Sequence, residues 1–500
     1  MKAQLKADPF DVAAMRMLAE LAGRIGRYGD AESLLRRAVE LAPAFTAARS
    51  NLATVLHRQN RPAEALAELD LLLGVDPGDV GGANLKAAVL GRLGDYDEAL
   101  ALYEVVLEQA PSQPRVWMSY GHVLKTVGRQ EESVAAYRKA TALMPQLGEV
   151  WWSLANLKTV QFSAQDVATM EKALAEPVLR DEDRFHLHFA LGKAYEDRQQ
   201  AETAFTHYDA GNRQRAALQD YDADDTRTQV NRAKAIFTPA YFAAHSTTGC
   251  RAADPIFILG LPRAGSTLIE QILASHSAIE GTIEHPDIPA LAARVGVREG
   301  GLAAFSEDEL SAMGAEYIDR TRIQRKTDRP FFIDKLPNNW AHIGLIKTIL
   351  PNARIIDARR HPLGCCFSNF KQHFARGQSF TYALDDIGRY YRDYVALMAH
   401  FDAVLPGQIH RVFYEAMVDD QECETRKLLA FLALPFEEAC LRFFDNDRAV
   451  RTASSEQVRQ PIFRQGTEQW QMFEPWLSPL KAALGDVWPA YPDVPVAFLS

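Results

Sequence analysis

Apolar positions along the first 160 residues recur at helical spacing and in a long, fixed register. In GRYGDAESLLRRAVELAP, residues Ala31, Leu34, Leu35, Ala38, Val39 and Leu41 fall on one helix face. Prolines stand at Pro9, Pro43, Pro77, Pro111 and Pro145, each 34 residues after the last. Two more combs share that period: Gly26, Asn60, Gly94 and Gly128, then the small residues Ala31, Ala65, Ala99 and Ser133. The pattern predicts repeated helix pairs, with a turn near the glycine and a close helix approach at the small residue. Helical patterning continues past Trp151 and Trp152, which read as core side chains. HLHFALGKAYEDRQQAETAFTHYDAGN predicts a further pair with Leu191, Ala194, Ala204 and Tyr208 facing inward. After Cys250 the period changes. Short apolar runs suited to strands appear at 255–259 (PIFIL), 331–333 (FFI), 354–357 (RIID) and 410–413 (HRVF). Helical stretches separate them, among them Thr267–Ala274, His342–Leu350 and Ile387–His400. Strands alternating with helices predict βαβ units and a mostly parallel sheet.

The 34-residue unit resembles the tetratricopeptide repeat, an α-helical solenoid that presents a concave surface to a peptide or partner. Asn51, Asn84 and Tyr120 are candidates for lining that groove. The expected organisation is repeats over 1–160, degenerate helical repeats and a linker over 161–250, and an α/β domain over 251–500.

Composition narrows the class. Of 500 residues, 47% are hydrophobic and 24% charged, which suits globular domains and argues against disorder. The 55 basic and 65 acidic residues give a net charge of −10, a poor footprint for wholesale nucleic-acid binding. Residues 1–160 hold 18 basic and 19 acidic residues, so the acidic excess lies in the remainder and any anion site is a local constellation. No apolar run approaches the roughly 18–20 residues that span a bilayer. The opening MKAQLKADPFD lacks an apolar signal core, and five cysteines cannot build a disulfide framework, so the expected location is cytoplasmic.

Candidate chemistry lies beyond the predicted strands, where open α/β sheets bind ligands. The first strand runs into GLPRAGSTLIEQIL, a glycine-bearing loop that leads into a helix and aims backbone N–H groups at an anion. Gly260 and Gly265 keep the spacing of a phosphate loop, but Ser266 stands where its lysine belongs, which disfavours ATP or GTP hydrolysis. Arg263 offers a planar fork of donors from within the loop. The second strand is followed by Asp334 and Lys335 in DKLPNNW. The third leads to ARRHPLGCCFSNF, with Arg360 and, eight residues on, Ser368; Tyr414 follows the fourth. Three cations just past three strand ends describe a site for a ligand with two separated anionic groups. Cys365 and Cys366 lack metal-ligand spacing and read as packed thiols. The acidic string at Asp222, Asp224 and Asp225 has no strand before it, so neither supports a metal site.

These residues, in this order, resemble the sulfotransferases that use 3′-phosphoadenosine 5′-phosphosulfate (PAPS), and among them the tyrosylprotein sulfotransferases. Residues 262–268 are similar to that family's 5′-phosphosulfate loop, Arg360 with Ser368 to its 3′-phosphate motif, and DKLP to the motif of its catalytic lysine. Glu284 follows Arg263 by 21 residues, the family's spacing to its catalytic glutamate. SerSerGluGlnVal at 454–458, Trp470 and Tyr414 match later positions. With the repeats, the chain resembles the bacterial repeat-containing sulfotransferases, which implies a solenoid followed by a P-loop-like sulfotransferase domain.

The resemblance implies PAPS as co-substrate, PAP as product, no required metal, and a hydroxyl acceptor. Peptide tyrosine, a sugar hydroxyl and a small phenol are all open, and a protein or peptide acceptor is one the repeats could hold. Arg263, the N–H groups of Ala264, Gly265, Ser266 and Thr267, and the Ser266 and Thr267 hydroxyls are expected at the 5′-phosphosulfate. Arg360 and Ser368 are expected at the 3′-phosphate, with Tyr414, Ser454 and Ser455 beside the nucleotide. Lys335 would steady the leaving oxygen, Asp334 would orient Lys335, and Glu284 would take the acceptor proton, with His285 as rival base. The sequence departs from the pattern at Gln469, where the tyrosylprotein enzymes place a lysine, leaving Arg464 or Arg459 as replacement; the acceptor-peptide arginine after Glu284 is also absent. The rival classes are a P-loop kinase or nucleotidase and a non-catalytic tetratricopeptide scaffold.

Overall fold

The computed structural model describes residues 2–498 apart from 60, 283, 375, 376, 451, 453, 454 and 463. The chain divides into two compact units, Met1–Val150 and Trp151–Ser500.

In the first unit, helix pairs follow one another at the period of the sequence. They are Val12–Arg24 with Tyr28–Leu41, Thr46–Arg58 with Pro62–Val75, Val80–Leu93 with Tyr96–Gln109, and Pro114–Thr126 with Gln130–Leu143. The small-residue comb explains the pairing: Ala31, Ala65, Ala99 and Ser133 have no exposed surface. Ser133 satisfies its buried hydroxyl by donating to the Gly121 carbonyl at 2.9 Å. A Cβ added at Gly121 would lie 2.7 Å from the Tyr137 ring, so that ring packs directly on the Gly121 backbone and leaves no room for a side chain. Asn51 lines a shallow cavity with Tyr28 and Arg58, whereas Tyr120 instead donates its hydroxyl at 2.8 Å to Glu104, on the second helix of the preceding repeat.

The second unit opens with helices that keep the same internal register. In the pair Asp181–Asp197 and Ala201–Ala216, Gly192 faces Tyr208 as Gly121 faces Tyr137, and Ala204 is fully buried as Ser133 is. This pair shares a core with the α/β part. Asn212 Nδ2 donates to the Phe370 carbonyl at 2.8 Å, and Lys371 Nζ meets Glu196 Oε1 at 2.5 Å. Phe205 stacks on Trp476 with ring centroids 5.4 Å apart.

The sheet of this unit comprises β1 (Pro255–Gly260), β2 (Ile279–Gly281), β3 (Phe331–Lys335), β4 (Arg354–Arg359) and β5 (Ile409–Phe413). All pair in parallel in the order β2-β3-β1-β4-β5. Every residue of β1 is buried, as expected of a central strand covered on both faces. The chain leaves β1 toward one edge and crosses to the other side after β3, so the crevice beyond β1 is the topological switch point. Register places Lys335, the last residue of β3, beside Ile258 of β1, and Ala358 of β4 beside Gly260. The site elements therefore converge by topology. Among the described residues no helix is long and apolar enough to cross a membrane.

Candidate active site

The loop after β1 enters the helix Ser266–Ala274 through two residues in left-handed backbone, Arg263 (φ 65°) and Gly265 (φ 97°). No side chain caps this helix, so its first N–H groups and the positive end of its dipole face the loop. Glycine is required at 265 for space as well as backbone, because an added Cβ would stand 2.8 Å from the Tyr414 ring.

Two guanidinium groups share this crevice. Arg263 Nε donates to Ser368 Oγ at 3.2 Å and its Nη2 to Gln457 Oε1 at 3.3 Å. Arg360 donates to the carbonyls of Arg263 (3.1 Å) and Gly466 (2.5 Å), lies 4.9 Å from the Tyr414 ring centroid, and leaves its buried Nε without a partner. Burial and the neighbouring Arg360 push the Arg263 pKa down to about 10. Such a pair of enclosed cations suits an anion, and the Arg360 Nε retains donor capacity toward one. Arg263, Gly265, Ser266, Thr267, Arg360, Ser368 and Tyr414 all line one open cavity, with about 790 Å³ of empty space including its mouth. Ala264 is buried directly behind it in the sequence. Thr267 Oγ1 donates to Thr452 Oγ1 at 3.4 Å.

Lys335 and Glu284 lie outside that lining but pair directly with each other. Lys335 is 3% exposed, whereas the Glu284 side chain is 46% exposed. A second carboxylate, Glu270, stands 3.9 Å from Lys335 and is itself held by Arg448 Nη2 at 2.5 Å. Glu270 sits one turn along the helix that begins at Ser266, and this connects the lysine to the loop. Sequence reasoning missed Glu270 and Arg448. The available signal was a glutamate set between apolar residues in STLIEQILA, at a position the helix period buries.

Several expectations are corrected. Asp334 does not hold Lys335: adjacent strand residues face opposite ways, and Asp334 accepts from Tyr317 at 2.7 Å. Its burial pushes the carboxyl up to about 8. Neither Arg464 nor Arg459 lines the cavity. Arg464 extends to Asp419 at 3.4 Å and Arg459 to the Arg448 carbonyl at 3.4 Å, while Gln469 itself lines the cavity. Ser455 is buried but outside the lining, with its hydroxyl unpartnered; Ser454 lies outside the described residues. His285 is 1% exposed, with Nε2 2.7 Å from Thr282 Oγ1. That hydroxyl gives its proton to the Ile333 carbonyl, so the ring nitrogen carries the hydrogen between them. Burial pushes His285 down to about 4. The acidic string has a structural role: Asp222 caps the helix Ala223–Ile236, and Asp224 pairs with Arg389. Cys365 and Cys366 are fully buried on the helix Pro362–Phe370.

A parallel sheet whose central strand feeds a glycine-bearing loop and an uncapped helix defines an α/β domain of the P-loop-like class. Residues 255–438 match the sulfotransferase family profile, and residues 5–44, 26–89 and 85–147 match tetratricopeptide repeat profiles. The chain thus joins tetratricopeptide repeats to a sulfotransferase-family domain. It is 32% identical over 330 residues to an uncharacterized protein of Aquifex aeolicus (strain VF5); the match covers 63% of this chain and 43% of that relative. The chain therefore spans less than half the length of the curated relative it matches. Similar solved structures include the sulfotransferase domain of the Synechococcus PCC 7002 olefin synthase, at 20% identity over 44% of this chain and 88% of that one, TM-score 0.35. Another is YrrB, described as a tetratricopeptide protein with an unusual peptide-binding site, at 15% identity over 41% and 95%, TM-score 0.28.

Proposed function

We propose that the chain is a PAPS-dependent sulfotransferase that moves the sulfuryl group to an acceptor hydroxyl. The observation that carries this reading is the pair of enclosed guanidiniums, Arg263 and Arg360, beside an uncapped helix N-terminus, with Ser368 lining the same cavity and bonded to Arg263. The loop N–H groups of Ala264–Thr267 and Arg263 bind the 5′-phosphosulfate, and Arg360 with Ser368 binds the 3′-phosphate that distinguishes PAPS from ATP. Tyr414, packed against Gly265 and under Arg360, shapes the nucleotide side.

During transfer the bond from sulfur to the bridging oxygen breaks as a bond to the acceptor oxygen forms. Lys335 stabilises the negative charge that grows on the departing phosphate oxygen. Glu284 takes the acceptor proton; its exposure and its contact with Lys335 support that role. His285 is a poorer base, because its ring is buried and Nε2 is already protonated toward Thr282. The acceptor is a peptide tyrosine, a sugar hydroxyl or a small phenol, and the repeats are suited to holding a protein or peptide acceptor.

Thermal melting tests the reading. PAP without divalent metal should raise Tm well beyond the effect of ATP with Mg²⁺; mass action gives about 2.7 kcal/mol at 100 times Kd. Equal or greater stabilisation by Mg-ATP would overturn it.

A further inference from the structure

Lys158 occupies an unusual position. It follows the helix that ends at Asn156 and is held in left-handed backbone (φ 67°), where glycine is the common residue. Its Nζ donates to the neutral Gln372 Oε1 at 3.4 Å and lies 5.2 Å from the Trp152 ring centroid. Among the described residues it has no carboxylate within 4 Å, in contrast to its cationic neighbours: Lys193 pairs with Asp197, and Lys371 with Glu196. Arg263 is close enough to repel it, and this repulsion reinforces burial in holding its amine well below the ordinary lysine value.

The partner of Lys158 shows where this charge is directed. Gln372 lies four residues after Ser368, and its N–H bonds the Asn369 carbonyl, so the helical turn continues to it and places the two residues on one side. Ser368 touches Arg263, and Gln372 touches Lys158. Two cations therefore flank one helix end, with Glu196 the nearby carboxylate that partly offsets their repulsion without bonding Lys158.

We propose that Lys158, supplied by the helical segment ahead of the α/β domain, is a further ligand of the nucleotide's 3′-phosphate, joining Arg360 and Ser368. This rests on the sulfotransferase reading above. An ammonium held on Gln372, one helical turn from Ser368 and without a bonded carboxylate, suits an anion that Ser368 also binds. It also gives the helical segment a part in choosing the nucleotide, because a phosphate at this position is what separates PAP from adenosine 5′-phosphate.

Isothermal titration of the full chain with PAP and with adenosine 5′-phosphate tests the assignment. Asparagine removes the charge and tolerates left-handed backbone, so Lys158→Asn is the informative variant. Its Kd for PAP should rise about 10-fold or more, the scale of a lost charge-assisted bond, while that for adenosine 5′-phosphate stays within about 2-fold. Lys158→Arg should keep most of the preference for PAP. Lys158→Gly carries the same expectation should the asparagine variant fail to fold. Unchanged PAP affinity, or equal losses for both nucleotides, overturns the assignment, as does an effect confined to acceptor KM. A wild-type chain that binds PAP no better than adenosine 5′-phosphate refutes instead the parent reading.

Discussion

Lys335 carries its charge at 3% exposure, and a buried ammonium is tolerated only with compensating partners. Glu284 and Glu270 supply them, one exposed and one buried. Glu284→Gln keeps an acceptor oxygen for the lysine while abolishing the base. Turnover should fall about 10²- to 10⁴-fold with PAP affinity nearly intact. Arg360→Ala should do the reverse, weakening PAP by roughly 1.5–3 kcal/mol in a titration. Full activity in Glu284→Gln with a dead His285→Ala would transfer the base role to His285. Asp334 makes a separate, pH-dependent prediction. Its carboxyl is raised from 3.8 to about 8 in the fold, so the native state binds the extra proton between those values and its stability contribution declines as pH rises. Melting of Asp334→Asn against wild type should show the variant gaining relative stability from pH 5 to pH 8; a constant difference would show that Asp334 does not titrate in that window. Arg263, Arg360 and Lys335 were legible in sequence because each stands at or just past a strand end, and Ser368 because of its spacing from Arg360. Glu270 and Arg448 were not, because their pairing joins segments 178 residues apart.

Elements were readable in proportion to their length and period. The repeat helices keep one 34-residue register, and four strands have apolar runs long enough to stand out. Strand β2 has only three residues, Ile279–Gly281, too few for any alternation, and its identity as an edge strand comes from pairing with β3. Between 438 and 476 the described helical turns are short and 3₁₀ in type, so no periodicity announced that Gln457, Gly466 and Gln469 border the cavity. The loop after β1 was legible because glycine spacing reflects a backbone need. Gly265→Ala must strain a backbone at φ 97° and displace the Tyr414 ring. Titration should show PAP affinity reduced about tenfold or more, with a lowered Tm. Unaltered binding would mean that the loop conformation does not determine the anion site.

For the whole chain, the sequence made the two-part architecture plain but did not reveal how closely the intermediate helices join the α/β part. Asn212 on Phe370, Glu196 on Lys371 and Phe205 on Trp476 make that segment part of one core. Residues 148–500 should therefore fold and bind PAP with full-length affinity, whereas residues 251–500 should aggregate or melt without cooperativity. If the repeats position a large acceptor, removing residues 1–147 lowers transfer to that acceptor while leaving a small phenol little affected. The central claim is the reaction itself, and the most direct measurement follows sulfur-labelled PAPS mixed with the chain and either a simple phenol or a cell extract. The account predicts labelled acceptor and stoichiometric PAP, without added metal, and their loss in Glu284→Gln. Absence of transfer to any hydroxyl, or equal transfer by wild type and the double variant Glu284→Gln/Lys335→Ala, would contradict it.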